Sequence, residues 1–288
     1  MSTPSMSSTS SSASTGSTLS THLQKILAHT ALIVAQRKAA ADLAALERQA
    51  LAHTPRGFAA ALKQQRTAGT WPAVIAELKK ASPSKGLIRE SFEPAALARA
   101  LEAAGAATLS VLTDEQFFQG SLANLEIASA TVKIPCLRKD FMIDPFQMLE
   151  ARASAADAIL LIVAALSDEQ LLTLSQAAAS LQLDILCEVH SAEELDRALS
   201  LHRQIPIQMI GVNSRDLHTF AVDPQVQFDL APRIPDGVVR IAESGIRTHE
   251  DIARLTAAGY DAFLIGETLM RQPDPAAALT QLLHRTAK

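Results

Sequence analysis

Short apolar runs alternate with longer amphipathic stretches along most of this chain. The runs are AVIAEL (73–78), TLSVLT (108–113), CLRKDF (136–141), AILLIVAAL (158–166), DILCEVH (184–190), QMIGVNS (208–214), VVRIAESG (238–245) and AFLIGET (262–268). Few of them alternate polar with apolar positions, as expected of strands buried on both faces of a parallel sheet. Between and after them lie helical patterns: 93–105, 122–132, 145–155, 167–181, 191–202, 223–234, 248–259 and 274–287. Ser167 with Gln170, and Ser191 with Glu194, have capping-box spacing. Gly105 and Gly259 stand where a helix would end, and Pro145 falls in a first turn. Eight strand–helix units in about 215 residues predict α/β architecture closed into a (β/α)8 TIM barrel rather than an open sheet.

Upstream, Leu23 to Arg48 predicts one helix, with Leu23, Ile26, Leu27 and Ile33 on a stripe. TPRGF (54–58) breaks it, and GFAAALKQQ (57–65) predicts a second. Residues 1–20 are rich in Ser and Thr and are expected to be a disordered tail. They have neither a basic n-region nor an apolar h-region, so they do not read as a secretory signal. The expected organisation is that tail followed by a single barrel domain, 21–288, which includes the extra helices at about 21–70.

Composition narrows the function. Of 288 residues 48% are apolar, enough for a large core, and aromatics are scarce at 4%, which favours helices over an all-β sandwich. The net charge of −4 comes from interspersed acids and bases, so no basic face for nucleic acid is expected. No apolar run approaches the ~18 residues of a membrane span. Cys136 and Cys187 sit inside strand runs and read as small buried hydrophobes, consistent with a reducing cytoplasm. A monomer is the expected state, and the surface is compatible with docking of another protein.

The chemistry collects at the C-terminal ends of the strands, where a barrel of this kind builds its active site. Glu77 and Lys79 share one side of the first strand with Ile75. Two charges facing an apolar helix layer would be costly, so the upper lumen is their expected place. Lys139 is a candidate general acid, and Glu188 a candidate base or proton shuttle. Arg138 and Asp140 flank Lys139 on the other side and fit ion pairs. His190 reads as a supporting or solvent-facing group. Asn213 and Arg215 could bind a hydroxyl and an anion, although a turn held by Asn213 and Asp216 fits the same spacing. Ser244, Gly245 and Gly266 follow the seventh and eighth strands, where such barrels commonly bind phosphate. Glu267 lies beside them, with only its N–H expected to face inward. Lys80 and Lys85 are expected in solvent. No metal-ligand spacing and no dinucleotide fingerprint is present.

The motifs ELKKASPSKG, LTDEQFFQGS, LRKDFMIDPFQ, CEVH, GVNSRDL, AESGI and LIGETLM, in this order and each at a strand end, resemble the indole-3-glycerol phosphate synthase family. The resemblance runs from about Leu19 to the C-terminus. It implies a tryptophan-pathway lyase acting on a small phosphorylated substrate, 1-(2-carboxyphenylamino)-1-deoxyribulose 5-phosphate, without a cofactor. It further implies that Lys139 is the general acid of ring closure and Glu188 the acid/base group of dehydration. Glu77 and Lys79 would assist. Phe118 and Phe141 would line an aromatic pocket; Asn213, Arg215, Glu243 and Ser82 would contact substrate; Ser244, Gly245 and Gly266 would hold the phosphate. Ser214 and Glu267 depart from the family pattern, and Ser214 is expected to face away. A sugar-phosphate isomerase of the phosphoribosylanthranilate isomerase type would commonly pair Asp with Cys at the strand tops. Cys136, near the start of its strand, cannot easily reach. A non-catalytic barrel would not be expected to keep Lys139, Glu188 and Glu77 at strand ends. The SPSKG segment (82–86) is expected to be a loop that orders over bound substrate.

Overall fold

In the computed structural model of the chain, residues 21–68, 72–217 and 219–283 are described. The expected tail, 1–20, lies outside them. Eight strands close into a parallel barrel: β1 (Ala73–Leu78), β2 (Thr108–Leu112), β3 (Cys136–Lys139), β4 (Ala158–Ile162), β5 (Asp184–Val189), β6 (Met209–Asn213), β7 (Val239–Glu243) and β8 (Ala262–Ile265). Each pairs with its neighbours in sequence, and β8 pairs with β1 to shut the ring.

Side-chain parity sorts the strands into two cores. Ile75, Leu137, Leu160, Leu186, Ile241 and Leu264 point inward and fill the lumen. Val74, Leu109, Cys136, Ile159, Cys187 and Phe263 point outward and pack under the helices. Both thiols are free and buried, as their strand positions imply. Among the described residues no helix is long and apolar enough to cross a membrane.

Eight helices follow the sequence pattern: α4 (Pro94–Ala104), α6 (Leu122–Thr131), α7 (Phe146–Ala153), α8 (Asp168–Ser180), α9 (Ala192–His202), α10 (Gln225–Leu230), α11 (His249–Ala257) and α13 (Pro275–Leu282). Two short ones, α5 (Glu115–Phe118) and α12 (Glu267–Met270), were not anticipated. Asp114 creates the first by accepting hydrogen bonds from the N–H groups of Phe117 and Phe118.

Several boundaries differ from expectation, each for a local reason. The helix expected over Leu23–Arg48 is two, α1 (Thr21–Ala40) and α2 (Leu43–Ala52). Asp42 starts the second by accepting the N–H of Ala45. The apolar run 158–166 leaves the sheet after Ile162 and continues as a 3-10 turn. Ser167 and Gln170 cap α8 reciprocally. At α9 Ser191 caps, but the Glu194 carboxylate accepts from the N–H of His190 instead of closing the box. SPSKG is not an open loop: Ala81–Ser82 and Gly86–Leu87 pair as a small hairpin.

The N-terminal helices cover both ends of the barrel. α3 (Phe58–Thr67) plugs the floor, with Phe58, Ala59 and Leu62 packed into the inner core. The turn before it is pinned by Arg56, whose guanidinium grips the buried Asp157 at 2.6 Å and the carbonyl of Val132 at 3.0 Å. α1 reaches the opposite end, where His22, Leu23 and Ile26 roof the mouth.

Candidate active site

The upper lumen opens into a cavity of about 840 Å³. Parity delivers its reactive groups: Glu77 continues the inward face of Ala73 and Ile75, Lys139 that of Leu137, Glu188 that of Leu186, and Glu243 that of Val239 and Ile241. Every residue expected to catalyse, to contact substrate or to flank the phosphate lines this one cavity.

Lys139 is the centre. Its Nζ lies 3.0 Å from Glu188 Oε2 and 3.0 Å from Glu243 Oε2. Glu77 is also buried and pairs with Lys79 at 2.7 Å. Burial works against the Lys139 charge, but the acidic side chains around it, Glu188 foremost with Glu243 and Glu77, outweigh it and raise its pKa. The raised value differs from the lowered one usual for a buried lysine. For Glu188 burial pulls upward, yet Lys139 and His190 win and hold it well below the ordinary carboxylate range. Burial, with the Glu188 charge adding to it, pushes Glu243 up to about 8. Three carboxyls in one dry site are thus driven apart in acidity, the arrangement that separates acid from base.

His190 is not a solvent group. Its side chain is only 9% exposed; its Nδ1 contacts Glu194 at 3.0 Å and its Nε2 lies 3.3 Å from Glu188 Oε1, an ionic contact off the hydrogen-bonding line. Arg138 and Asp140 pair at 2.9 Å on the far side of β3, as their parity implies. Arg138 is fully buried; it also donates to Thr113 Oγ1 and to the carbonyl of Gln147. Gln147 in turn binds the carbonyl of Phe141 and the N–H groups of Ile143 and Asp144. This network fixes the turn that follows Lys139, and the spacing of Gln147 gave no sign of it.

Phe118 and Phe141 face each other at 6.3 Å between ring centroids on one wall. Asn213 Oδ1 accepts the N–H of Arg215, and Asp216 accepts that of Thr219, so this segment is both the turn and the lining its spacing allowed. Ser214 faces away, its hydroxyl on the carbonyl of Glu243. Ser244 and Gly245 both adopt left-handed backbone, φ 66° and 74°. For Ser244 this is a strained state of the kind that clusters at functional sites.

Glu267 corrects its expectation. Its side chain does not turn out of the site; it lines the wall, bound to Arg271 at 2.9 Å and 3.5 Å from Arg215. The cause is α12, which places Arg271 one helical turn after it. Lys85 is exposed, as expected, but stands at the cavity mouth, whereas Lys80 stays off it.

Two glycines make room for carboxylates. A side chain at Gly211 would overlap Glu243 Oε1, and one at Gly266 would overlap Glu77 Oε1. Gly211 was not anticipated, because its reason lies on a neighbouring strand.

Known proteins resemble the chain at two levels. The family model described as indole-3-glycerol phosphate synthase matches residues 23–282. An indole-3-glycerol phosphate synthase from Koribacter versatilis (strain Ellin345) is 56% identical over 265 residues, which cover 92% of this chain and all of that protein. Among solved structures, a 3-hexulose-6-phosphate synthase superposes with a TM-score of 0.59 at 14% identity, over 75% of this chain and all of its own. KGPDC from Streptococcus mutans gives 0.57 at 10% identity, over 74% of this chain and 95% of its own. At such identities these two speak for the barrel alone.

Proposed function

The chain belongs to the indole-3-glycerol phosphate synthase family, and from that premise we propose which residues carry the reaction. The enzyme is a carboxy-lyase of tryptophan biosynthesis. It closes the ring of 1-(2-carboxyphenylamino)-1-deoxyribulose 5-phosphate, expels carbon dioxide and water, and forms indole-3-glycerol phosphate.

The observation that carries the assignment is the ammonium of Lys139, clamped between two buried carboxyls at the base of a cup large enough for the substrate. Lys139 is the general acid: as the aromatic carbon attacks the ketone, Nζ protonates the carbonyl oxygen. The carboxylate then leaves as carbon dioxide and aromaticity returns. Glu188, held anionic by its cations, takes the carbon-bound proton in the dehydration. Lys79, fixed by Glu77, supports the leaving hydroxyl. Phe118 and Phe141 hold the aromatic ring and exclude water from it. Arg215 and Asn213 meet the substrate's carboxylate and hydroxyls, with Ser82 on the covering hairpin. Ser244, Gly245 and Gly266 hold the phosphate through backbone N–H groups, since successive N–H groups in such turns form anion-binding concavities.

Every member of this cluster comes from one chain, so a monomer suffices. We read residues 21–288 as one domain and its place as the cytoplasm, where two free thiols persist. The direct test is to incubate the purified, folded protein with the substrate and follow indole-3-glycerol phosphate by fluorescence. Absence of product overturns the reading.

A further inference from the structure

We propose that Glu243 is the proton store of this site: at rest it is a neutral carboxylic acid, and it reloads Lys139 after Lys139 has protonated the substrate. This rests on the assignment of Lys139 as general acid.

The first ground is crowding. Glu188 and Glu243 are 2% and 1% exposed, and both touch the same ammonium, Lys139 Nζ, at 3.0 Å. Gly211, beside Glu188 in the sheet, projects no side chain into the space that Glu243 Oε1 occupies, so Glu243 can crowd in beside Glu188 at that ammonium. Two carboxylates sharing a dry site do not both ionise.

The second ground is asymmetry. Glu188 has a second cation, His190, 3.3 Å from its Oε1. Glu243 Oε1 has no hydrogen-bond partner and no access to water. The shared proton therefore settles on Glu243. The surroundings agree. β1 contributes Glu77 and Lys79, β3 Lys139, and β5 Glu188 with His190, which Glu194 of α9 backs. β6 contributes neutral Asn213, and Arg215 just beyond it is engaged by Glu267 from α12, which follows β8. Excluding that last pair, four carboxyls face three cations, and one neutral carboxyl balances them. The elevation of Glu243 to about 8, from burial first and the Glu188 charge among its further causes, points the same way.

The third ground is the proton count of the reaction. Ring closure takes one proton from Lys139 onto the ketone oxygen. Loss of carbon dioxide leaves its electron pair in the ring. Dehydration needs a second proton, which the reloaded Lys139 delivers so that the hydroxyl, held by Lys79, departs as water, and it returns one proton from carbon to Glu188. Two protons are delivered before one is recovered. Between the deliveries the Glu243 O–H bond breaks and an N–H bond forms on neutral Lys139, leaving a carboxylate beside an ammonium. Afterwards the Glu188 O–H bond breaks, and its proton passes by way of neutral Lys139 Nζ, which both carboxyls touch, to the Glu243 carboxylate. Lys139 takes one from solvent, matching the carboxylate consumed.

Isotope-edited infrared spectroscopy with 13C-labelled glutamate tests the resting state without substrate, and so independently of the role given to Lys139. A protonated carboxylic acid band is expected in the wild type at neutral pH and its loss in Glu243→Gln. No such band in the wild type, or its survival in the variant, overturns the proposal. In a single turnover, Glu243→Gln should slow carbon dioxide release far less than indole formation. It should form the indole about 10²-fold more slowly, with the ring-closed alcohol accumulating. Equal slowing of both phases overturns the store. Glu243→Asp, which keeps an acid but draws it off Nζ, should show the same split and serves if the glutamine variant does not fold.

Discussion

The Glu77 carboxylate rests against the bare Cα of Gly266, where a methyl group would overlap Oε1. The glycine after β8 thus has a task on β1, besides any contact with phosphate. Gly266→Ala should displace Glu77 and with it Lys79, costing about 10²-fold in kcat, the scale set by a displacement of about an ångström. Steady-state kinetics checks this. A rise in KM alone would assign Gly266 to the phosphate only.

Lys139→Met keeps much of the side-chain bulk and removes the proton. Turnover should fall about 10²-fold or more, measured by product fluorescence. Near wild-type turnover would remove Lys139 from its role.

His190 gives the folded protein a pH signature. Burial lowers its pKa, but Glu188 and Glu194 raise it further, to about 10. A raised folded-state value stabilises the fold fully below the unfolded histidine pKa of about 6.5. The contribution declines as pH climbs through 10. Urea unfolding of wild type and His190→Ala across that window should show a difference that shrinks as pH rises. A difference that grows would contradict the charge assigned to the ring.

At the floor, Asp157 accepts from His53 at 3.1 Å, from Arg56 at 2.6 Å and from the N–H of Cys136 at 2.6 Å. Burial pulls its pKa up, but these donors outweigh it and hold it below the ordinary range, so its contribution is present at neutral pH and lost as pH falls through its folded value. Asp157→Ala takes the carboxylate from the half-buried Arg56 guanidinium and the acceptor from the buried Cys136 N–H, and should destabilise by about 1–3 kcal/mol with kcat unchanged. Denaturant titration and kinetics on the same sample separate the two effects.

What the sequence revealed followed from periodicity. A period of two places Glu77 with Ile75, and Lys139 opposite Arg138, before any coordinates exist, and eight repeated units imply a closed ring. What stayed hidden depended on partners distant in sequence or on elements too short to have a period. Gly211 has meaning only through Glu243, and Gln147 only through the turn it fastens. The Glu267 side chain follows from α12, a single turn of helix. The break between α1 and α2 was legible in principle: Asp42 stands before an Ala/Leu run, but the uninterrupted apolar stripe masked the cap.

The α3 plug has a consequence for traffic. With Phe58 and Leu62 seated under the lumen, the described residues fill the floor, and the cavity opens at the mouth, over which α1 and the hairpin hang. Substrate enters, and gas, water and the bulky indole leave, through that same opening. No second molecule can queue behind the first, so each turnover must empty the cup before the next begins.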